Sequence, residues 1–304
     1  MESIRNSKLI KYPIIKKPLA WIYDTYWYLI QHGIKDDKKY LSFLYWTKFD
    51  KKLNWDNPQT FNEKLQWLKL YCHKPLYVTM ADKYDVKKYV AERIGGEYVV
   101  PNLGVWNNVD EIDFNALPNQ FVLKCTHDSG GNYICKDKSK MDVNQVKKWL
   151  SFRLSLDYYL PGRDKQYRDI PKKIIADKYL DDGTGTELRD YKWWCFDGKP
   201  VYMYYTNKGE NIYENFYDME YNPVDINHGF PRLLPEQPKP ANFELMKDLA
   251  AKLSKNIPFV RVDFFDVGGY VYFGEFTFFD WGGLKPFKTY EMDMELGQLI
   301  NLPH

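Results

Sequence analysis

Apolar and polar positions along the chain alternate between two periods, 3.6 and 2.0, and the switches between them mark the elements. In the first part, Phe61, Leu65 and Leu68 fall at helical spacing, and Asn62 followed by Glu63 and Lys64 suits a helix start. A further helix is predicted from Asp82 to Arg93, stopped by Gly95 and Gly96. Short strands follow at 98–100, ahead of Pro101, and at 120–125, an apolar run suited to a covered strand. Asn144 to Leu160 returns to helical spacing, and Pro161 to Pro171 is polar and turn-rich. Strand patterns resume at 173–180 and 190–196, and the turn at Asp197-Gly198 leads into another at 200–205. Residues 207–241 are polar, aromatic and full of turn formers, which predicts a long loop. A helix from Asn242 to Asn256 and two alternating strands from Phe259 to Phe278 complete the pattern. Strands and helices mixed in this order indicate an α+β fold, with no internal repeat.

Composition narrows the function classes. The chain has 43 Lys and Arg against 41 Asp and Glu, a net charge of +2 that argues against a dedicated nucleic-acid binder. Aromatic residues reach 18%, which favours core packing first and sugar contact second. Cys72, Cys125, Cys135 and Cys195 are scattered without CxxC spacing, so reduced, buried thiols are expected. No leader is recognisable, and the longest apolar stretch, Pro18 to Ile34, is broken by Asp24 and Gln31, so a cytoplasmic protein is expected. The aromatic run Trp21, Tyr23, Tyr26, Trp27 and Tyr28, next to Lys16 and Lys17, suits either a helix packed on the body or peripheral contact with a membrane face.

The chemistry concentrates at the C-terminal pair of strands. Arg261 and Asp263 share one strand face, as do Glu275 and Thr277 on the next strand. A three-residue loop at Gly268 to Tyr270 places Asp263 opposite Glu275; a two-residue Gly-Gly turn throws the carboxylates onto opposite faces. Opposed carboxylates repel, and Mg²⁺ bound to nucleotide phosphates would relieve them. Arg261 would then neutralise charge on a transferring phosphoryl group. The alternative is an ordinary surface hairpin. Upstream, Lys124 ends an apolar strand and is followed by His127 and the flexible turn Ser129, Gly130, Gly131, whose amides can approach phosphates. His127 suits either a phosphate contact or a turn cap. Neither GxxxxGK[ST] nor GxGxxG is present at this turn. The strand carrying Asp177, Lys178, Tyr179 and Leu180, followed by Asp190 and Lys192, suits a hinge that bonds a purine through its backbone, or a plain edge strand.

In this order the segments resemble the ATP-grasp superfamily and, more narrowly, the TupA-like ATP-grasp family linked to teichuronopeptide and capsular polysaccharide synthesis. The narrower likeness rests on Asn57 to Lys69, Ala81-Asp82-Lys83-Tyr84, Asp190 to Lys192 with Phe196-Asp197-Gly198, Phe259 to Phe264, and the ending Leu296-Gly297 with Leu302-Pro303. The resemblance implies a helical region over 1–80, a lid lobe over 81–172 and a core lobe over 173–304 that clasp ATP. It implies that Lys124 and Lys87 reach the phosphates beneath Ser129 to Gly131, that Asp177 to Leu180 hold the adenine, and that Asp190 meets the ribose. Asp263, Glu275 and Thr277 match the Mg²⁺ ligands, and Arg261 with Lys192 the catalytic pair. Thr277 stands where many such ligases have Asn, so Asp280 is an alternative ligand. The implied reaction joins an amine to a carboxylate through an acyl phosphate, with an amino acid or amino alcohol as donor and a uronic acid of a glycan as acceptor. Competing readings are a glycosyltransferase using a nucleotide-sugar, and a carbohydrate-binding protein that stacks sugars on Tyr213, Phe216, Tyr217 and Tyr221.

Overall fold

The computed structural model describes residues 25–181, 188–208 and 212–303. Lys16, Lys17, Trp21 and Tyr23 lie outside the described residues. Residues 25–33 are helical, followed by α1 (Asp37–Phe49), α2 (Phe61–Tyr71) and α3 (Pro75–Ala81). Helix α2 starts at Phe61, ahead of the expected Asn62, because Thr60 and Glu63 form a capping box: the Glu63 amide donates to Thr60 Oγ1 and the Thr60 amide to Glu63 Oε2, both at 3.1 Å. Asn62 serves a tertiary contact instead, donating to Asp293 Oδ1 at 3.0 Å. Just ahead of helix α4 (Asp85–Ile94), Asp82 Oδ1 accepts from the amides of Tyr84 at 2.7 Å and Asp85 at 3.1 Å.

Four antiparallel strands form the first sheet: β1 (Asn102–Trp106), β2 (Phe121–Cys125), β3 (Asn132–Cys135) and β4 (Ile174–Lys178), in the order β1-β4-β2-β3. The strand expected at 98–100 is displaced past Pro101, which lacks an N–H and contributes only its carbonyl, accepting from Lys178 at 2.9 Å. Helix α5 (Val143–Ser155) covers one face, burying Val146 and Leu150 with Phe121, Leu123 and Ile174. Because Val122 pairs with Asp177, β4 belongs to this sheet, so a division at 172/173 cuts through it. The passage to the second sheet falls after Lys178.

The second sheet has six antiparallel strands: β5 (Asp190–Phe196), β6 (Lys199–Lys208), β7 (Ile212–Tyr217), β8 (Pro223–Val224), β9 (Phe259–Val267) and β10 (Tyr270–Thr277), in the order β10-β9-β5-β6-β7-β8. Helix α6 (Phe243–Ser254) lies against one face, where Trp193 meets Phe243 with ring centroids 4.9 Å apart. On the other face Trp194 stacks on Phe61 of α2 at 5.2 Å. Helices α2 and α3 therefore contribute to the core of this sheet, while Tyr40, Leu41 and Leu44 of α1 form a cluster of their own with Trp27, Ile30 and Ile34. The long loop expected over 207–241 contains β7 and β8, and Phe216 and Tyr217 within it are fully buried, which removes those two as sugar-stacking rings. Trp27 likewise packs on Tyr40, Leu41 and Leu44, while Tyr28 stays exposed. The four cysteines are free and buried, as expected.

Helix α7 (Tyr290–Gln298) crosses α2 at Gly297. A Cβ there would stand 2.1 Å from the Gln59 carbonyl oxygen and 2.8 Å from the Phe61 amide nitrogen, both backbone. Gly297→Ala is expected to destabilise the protein by about 2 kcal/mol or more, because backbone atoms have to separate. A denaturant midpoint equal to the parent's would show that the crossing tolerates a methyl group.

Candidate active site

The two sheets face each other across a cavity of about 290 Å³. Lys87, Lys124, Ser129, Gly130 and Asp177 line it from the side of the four-stranded sheet. Asp190, Asp263, Phe265, Gly274 and Glu275 line it from the six-stranded sheet, and Lys83 and Tyr167 close the sides.

The hairpin reaches the expected pairing by an unexpected route. Val267 pairs with Tyr270, so the turn has two residues, Gly268 and Gly269, with φ of 59° and 86°. This is the turn that would separate the carboxylates, and the three-residue loop is not formed. A bulge between Phe273 and Phe276 restores the register, so that Arg261 lies opposite Thr277 and Gly274 with Glu275 faces Asp263. Gly274 makes the bulge fit: a Cβ there would lie 3.1 Å from the Asp263 carbonyl oxygen.

Arg261 gathers three carboxylates. Its Nε and Nη2 donate to the two oxygens of Asp263, each at 2.7 Å, Nη2 reaches Glu275 at 3.1 Å, and Nη1 reaches Asp280 at 2.5 Å. Asp263 is buried, and burial pushes its carboxyl up to about 7 although Arg261 and Lys192 oppose the shift. Such a group is held charged by added cationic charge, and Glu275 stands within reach of the same guanidinium. Thr277 Oγ1 donates to Glu275 Oε1 at 3.3 Å. Among the described residues no group of three or more His, Cys, Asp or Glu is arranged to hold a metal. A pair of carboxylates fits Mg²⁺, which takes one or two from a protein and completes its shell with phosphate oxygens and water. Asp280 is engaged elsewhere: it also accepts from Trp194 Nε1 at 2.9 Å and Tyr204 at 3.2 Å, so it anchors Arg261.

Lys192 lies opposite Asp263 in the sheet, with its Nζ 2.8 Å from Asp190. Across the cavity, Asp177 bridges both expected phosphate lysines, Lys87 at 3.0 Å and Lys124 at 3.1 Å. Lys178, Tyr179 and Leu180 follow, partly to fully exposed, and do not line the cavity. The turn at Ser129 to Gly131 is fixed from behind by Asp128, which is buried and paired to Arg153; Gly130 has φ 71°. His127 belongs to this backing: it is buried, its Nε2 lies 3.2 Å from the Leu156 carbonyl, and it does not line the cavity. Burial and the neighbouring Lys172 push its pKa down, and its place behind the turn, outside the cavity lining, fits neither a phosphate contact nor a turn cap. Sequence reasoning passed over Lys83, which is half-buried in the cavity wall near Glu275 and donates to the Asp128 carbonyl, although Ala81-Asp82-Lys83-Tyr84 was visible. Nothing in the local sequence marks Tyr167, which enters the cavity from the turn-rich segment after α5.

Two sheets closed over a cavity lined with lysines on one side and carboxylates on the other are the ATP-grasp fold, and the protein is an ATP-dependent ligase of that class. The sequence profile of the TupA-like ATP-grasp family matches residues 63–301, and the chain belongs to that family. This removes the nucleotide-sugar transferase and the non-catalytic binding protein as readings. No curated protein matches the sequence. Among solved structures, D-alanine–D-alanine ligase from Helicobacter pylori is 15% identical, with a TM-score of 0.41 over 79% of this chain and 69% of that one. The ATP-grasp ligase PsnB is 9% identical, with 0.41 over 74% and 61%. The D-cycloserine synthetase DcsG is 13% identical, with 0.40 over 74% and 70%. Likenesses so distant add nothing to the family match.

Proposed function

We propose that the protein joins an amine to a carboxylate with consumption of ATP, the carboxylate being a uronic acid of a bacterial surface polysaccharide and the amine an amino acid or amino alcohol. The observation that carries this reading is Arg261, paired with Asp263 and Glu275 of the cavity lining and with Asp280. The family's link to teichuronopeptide and capsular polysaccharide synthesis supports the substrate pair. In this reading Lys87 and Lys124 bind the phosphates, Ser129 to Gly131 cover them, the backbone running on from Asp177 to Leu180 holds the adenine outside the cavity lining, and Asp190 meets the ribose. Asp263, Glu275 and Thr277 would hold Mg²⁺, which when bound supplies Lewis-acid neutralisation of the phosphate oxygens.

A substrate carboxylate oxygen attacks the γ-phosphorus, and the bond to the bridging oxygen breaks to release ADP. The amine nitrogen then attacks the acyl carbon of the acyl phosphate, phosphate departs, and the nitrogen loses a proton. Arg261 orients the carboxylate and offsets charge on the transferring group, with Lys192 beside it. The lid turn excludes water that would hydrolyse the acyl phosphate. Among the described residues no helix is long and apolar enough to cross a membrane. Contact with the inner membrane face through exposed Tyr26 and Tyr28 is part of the same proposal.

The test is an ADP-release screen with Mg-ATP against uronic-acid oligosaccharides paired with amino acids and amino alcohols; ADP formation independent of every acid would sink it. Lys124→Ala is expected to weaken ATP affinity about 10–100-fold, the worth of a charge-assisted bond. Unchanged affinity by calorimetry would remove Lys124 from the phosphate site.

A further inference from the structure

Phe265 and Asp263 line the cavity, and Arg261 lies two residues further along β9, about 6.6 Å beyond Asp263 at the rise of a strand. That direction leads away from the end marked by Asp190 and Phe265, and towards Asp280. A nucleophile that attacks the γ-phosphorus in line enters on the side opposite the leaving ADP. In the proposed reaction, therefore, the acid approaches from beyond Arg261.

The next residue after Asp280 is Trp281, and its backbone is forced. Trp281, Gly282 and Gly283 run consecutively in the left-handed region, with φ of 49°, 67° and 62°, a conformation a Trp rarely adopts. Buried Gln66 fixes the turn by donating to the carbonyls of Gly282 at 2.9 Å and Gly283 at 2.8 Å. Gly283 has no room for a side chain, since a Cβ would meet Gln66 Nε2 at 2.6 Å. The turn leaves the Trp281 indole 46% exposed beside the anchor of Arg261. Phe230 continues the surface, its ring 5.6 Å from the indole and tilted 33°. The Lys285 ammonium sits at the edge, 4.5 Å from the Phe230 ring and 5.5 Å from Trp281. The strained turn thus presents a large, half-exposed ring at the surface rather than in the core, and the cation beside it supplies a group for an oxygen-rich or anionic substituent.

We infer that Trp281 and Phe230, with Lys285 at their edge, form the shelf on which the carboxylate substrate lies, and that this substrate is a ring-bearing acid. The inference rests on the ligase reading above. The ring stacks on Trp281, and the reacting carboxylate points to Arg261.

Three acids separate the outcomes: D-glucuronate as a sugar acid, 3-phenylpropionate as an aromatic acid and acetate as a ringless one. Saturation-transfer NMR on the protein without nucleotide is expected to show transfer to the ring protons of one ring-bearing acid. It should fall at least fivefold in Trp281→Ala and survive in Trp281→Phe. With Mg-ATP, and hydroxylamine as the amine, the parent should release ADP with that acid at a kcat/KM at least tenfold above acetate, and Trp281→Ala should lose this preference. Which acid responds tells a sugar from an aromatic ring. Transfer undiminished in Trp281→Ala, transfer to neither ring, or equal efficiency with acetate would overturn the shelf while leaving the ligase reading in place. No ADP release with any of the three acids would count against the ligase reading, and the shelf would fall with it.

Discussion

Asp263→Asn is expected to lower acid-dependent ADP release by about 10²–10³-fold, the loss seen when one preorganised charge-stabilising group is removed from a reacting centre. The substitution keeps volume and one oxygen, and Arg261 retains Asp280 and Glu275, so the fold should persist. A stability measurement separates the two effects because of where Asp263 lies. Burial raises its carboxyl to about 7, well above the value of an unfolded carboxylate. A raised carboxylate pKa means that the folded state binds the extra proton, so the charged form costs stability progressively as pH rises from about 4 to 7 and fully above that. At pH 8 and without nucleotide, Asp263→Asn should therefore melt no lower than the parent. Lost activity with a retained melting temperature identifies a functional carboxylate; parent-like turnover would remove Asp263 from the metal centre.

Much of this site was legible in the sequence because its parts sit on regular elements. Arg261 and Asp263 are fixed on one face by the two-residue period of β9, and Lys124 by that of β2. What escaped is what depends on irregular backbone or distant partners. The Gly268-Gly269 turn and the bulge at Gly274 each shift the register by one residue, and only their combination brings Glu275 opposite Asp263. From the pattern alone one loop of three residues gives the same pairing, and the two solutions are indistinguishable. Asp280 looked like a spare ligand because Trp194 and Tyr204, which saturate it, are 86 and 76 residues away. The stretch 207–241 looked like a loop because β7 mixes Glu214 and Asn215 among its aromatics. Both polar residues are buried, with Asn215 Nδ2 bonded to the Leu233 carbonyl at 3.0 Å. Partnered polar groups erase the alternation that sequence patterns rely on.

Asp177→Ala carries the second large expectation, and it distinguishes two roles for the same residue. The side chain is 3% exposed and is the shared counter-ion of Lys87 and Lys124. Lys87 also donates to the Val100 carbonyl at 2.8 Å, and burial already pushes its pKa down. Removing the carboxylate leaves two lysines, their side chains 16% and 24% exposed, without this shared anion. Breaking a buried pair costs about 3 kcal/mol or more, which for a chain of this size lowers the melting temperature by roughly 5 °C or more. The adenine contact proposed for this segment would run through the backbone and so survive the truncation. If the lysines then meet ATP phosphates, the nucleotide replaces the missing counter-ion, and a ligand that binds only the folded state raises its stability. Mg-ATP should accordingly raise the melting temperature of Asp177→Ala by more than it raises that of the parent. A smaller rise than in the parent would mean that the carboxylate itself orders the nucleotide site, and an unchanged melting temperature without nucleotide would mean that water reaching the cavity already balances both lysines.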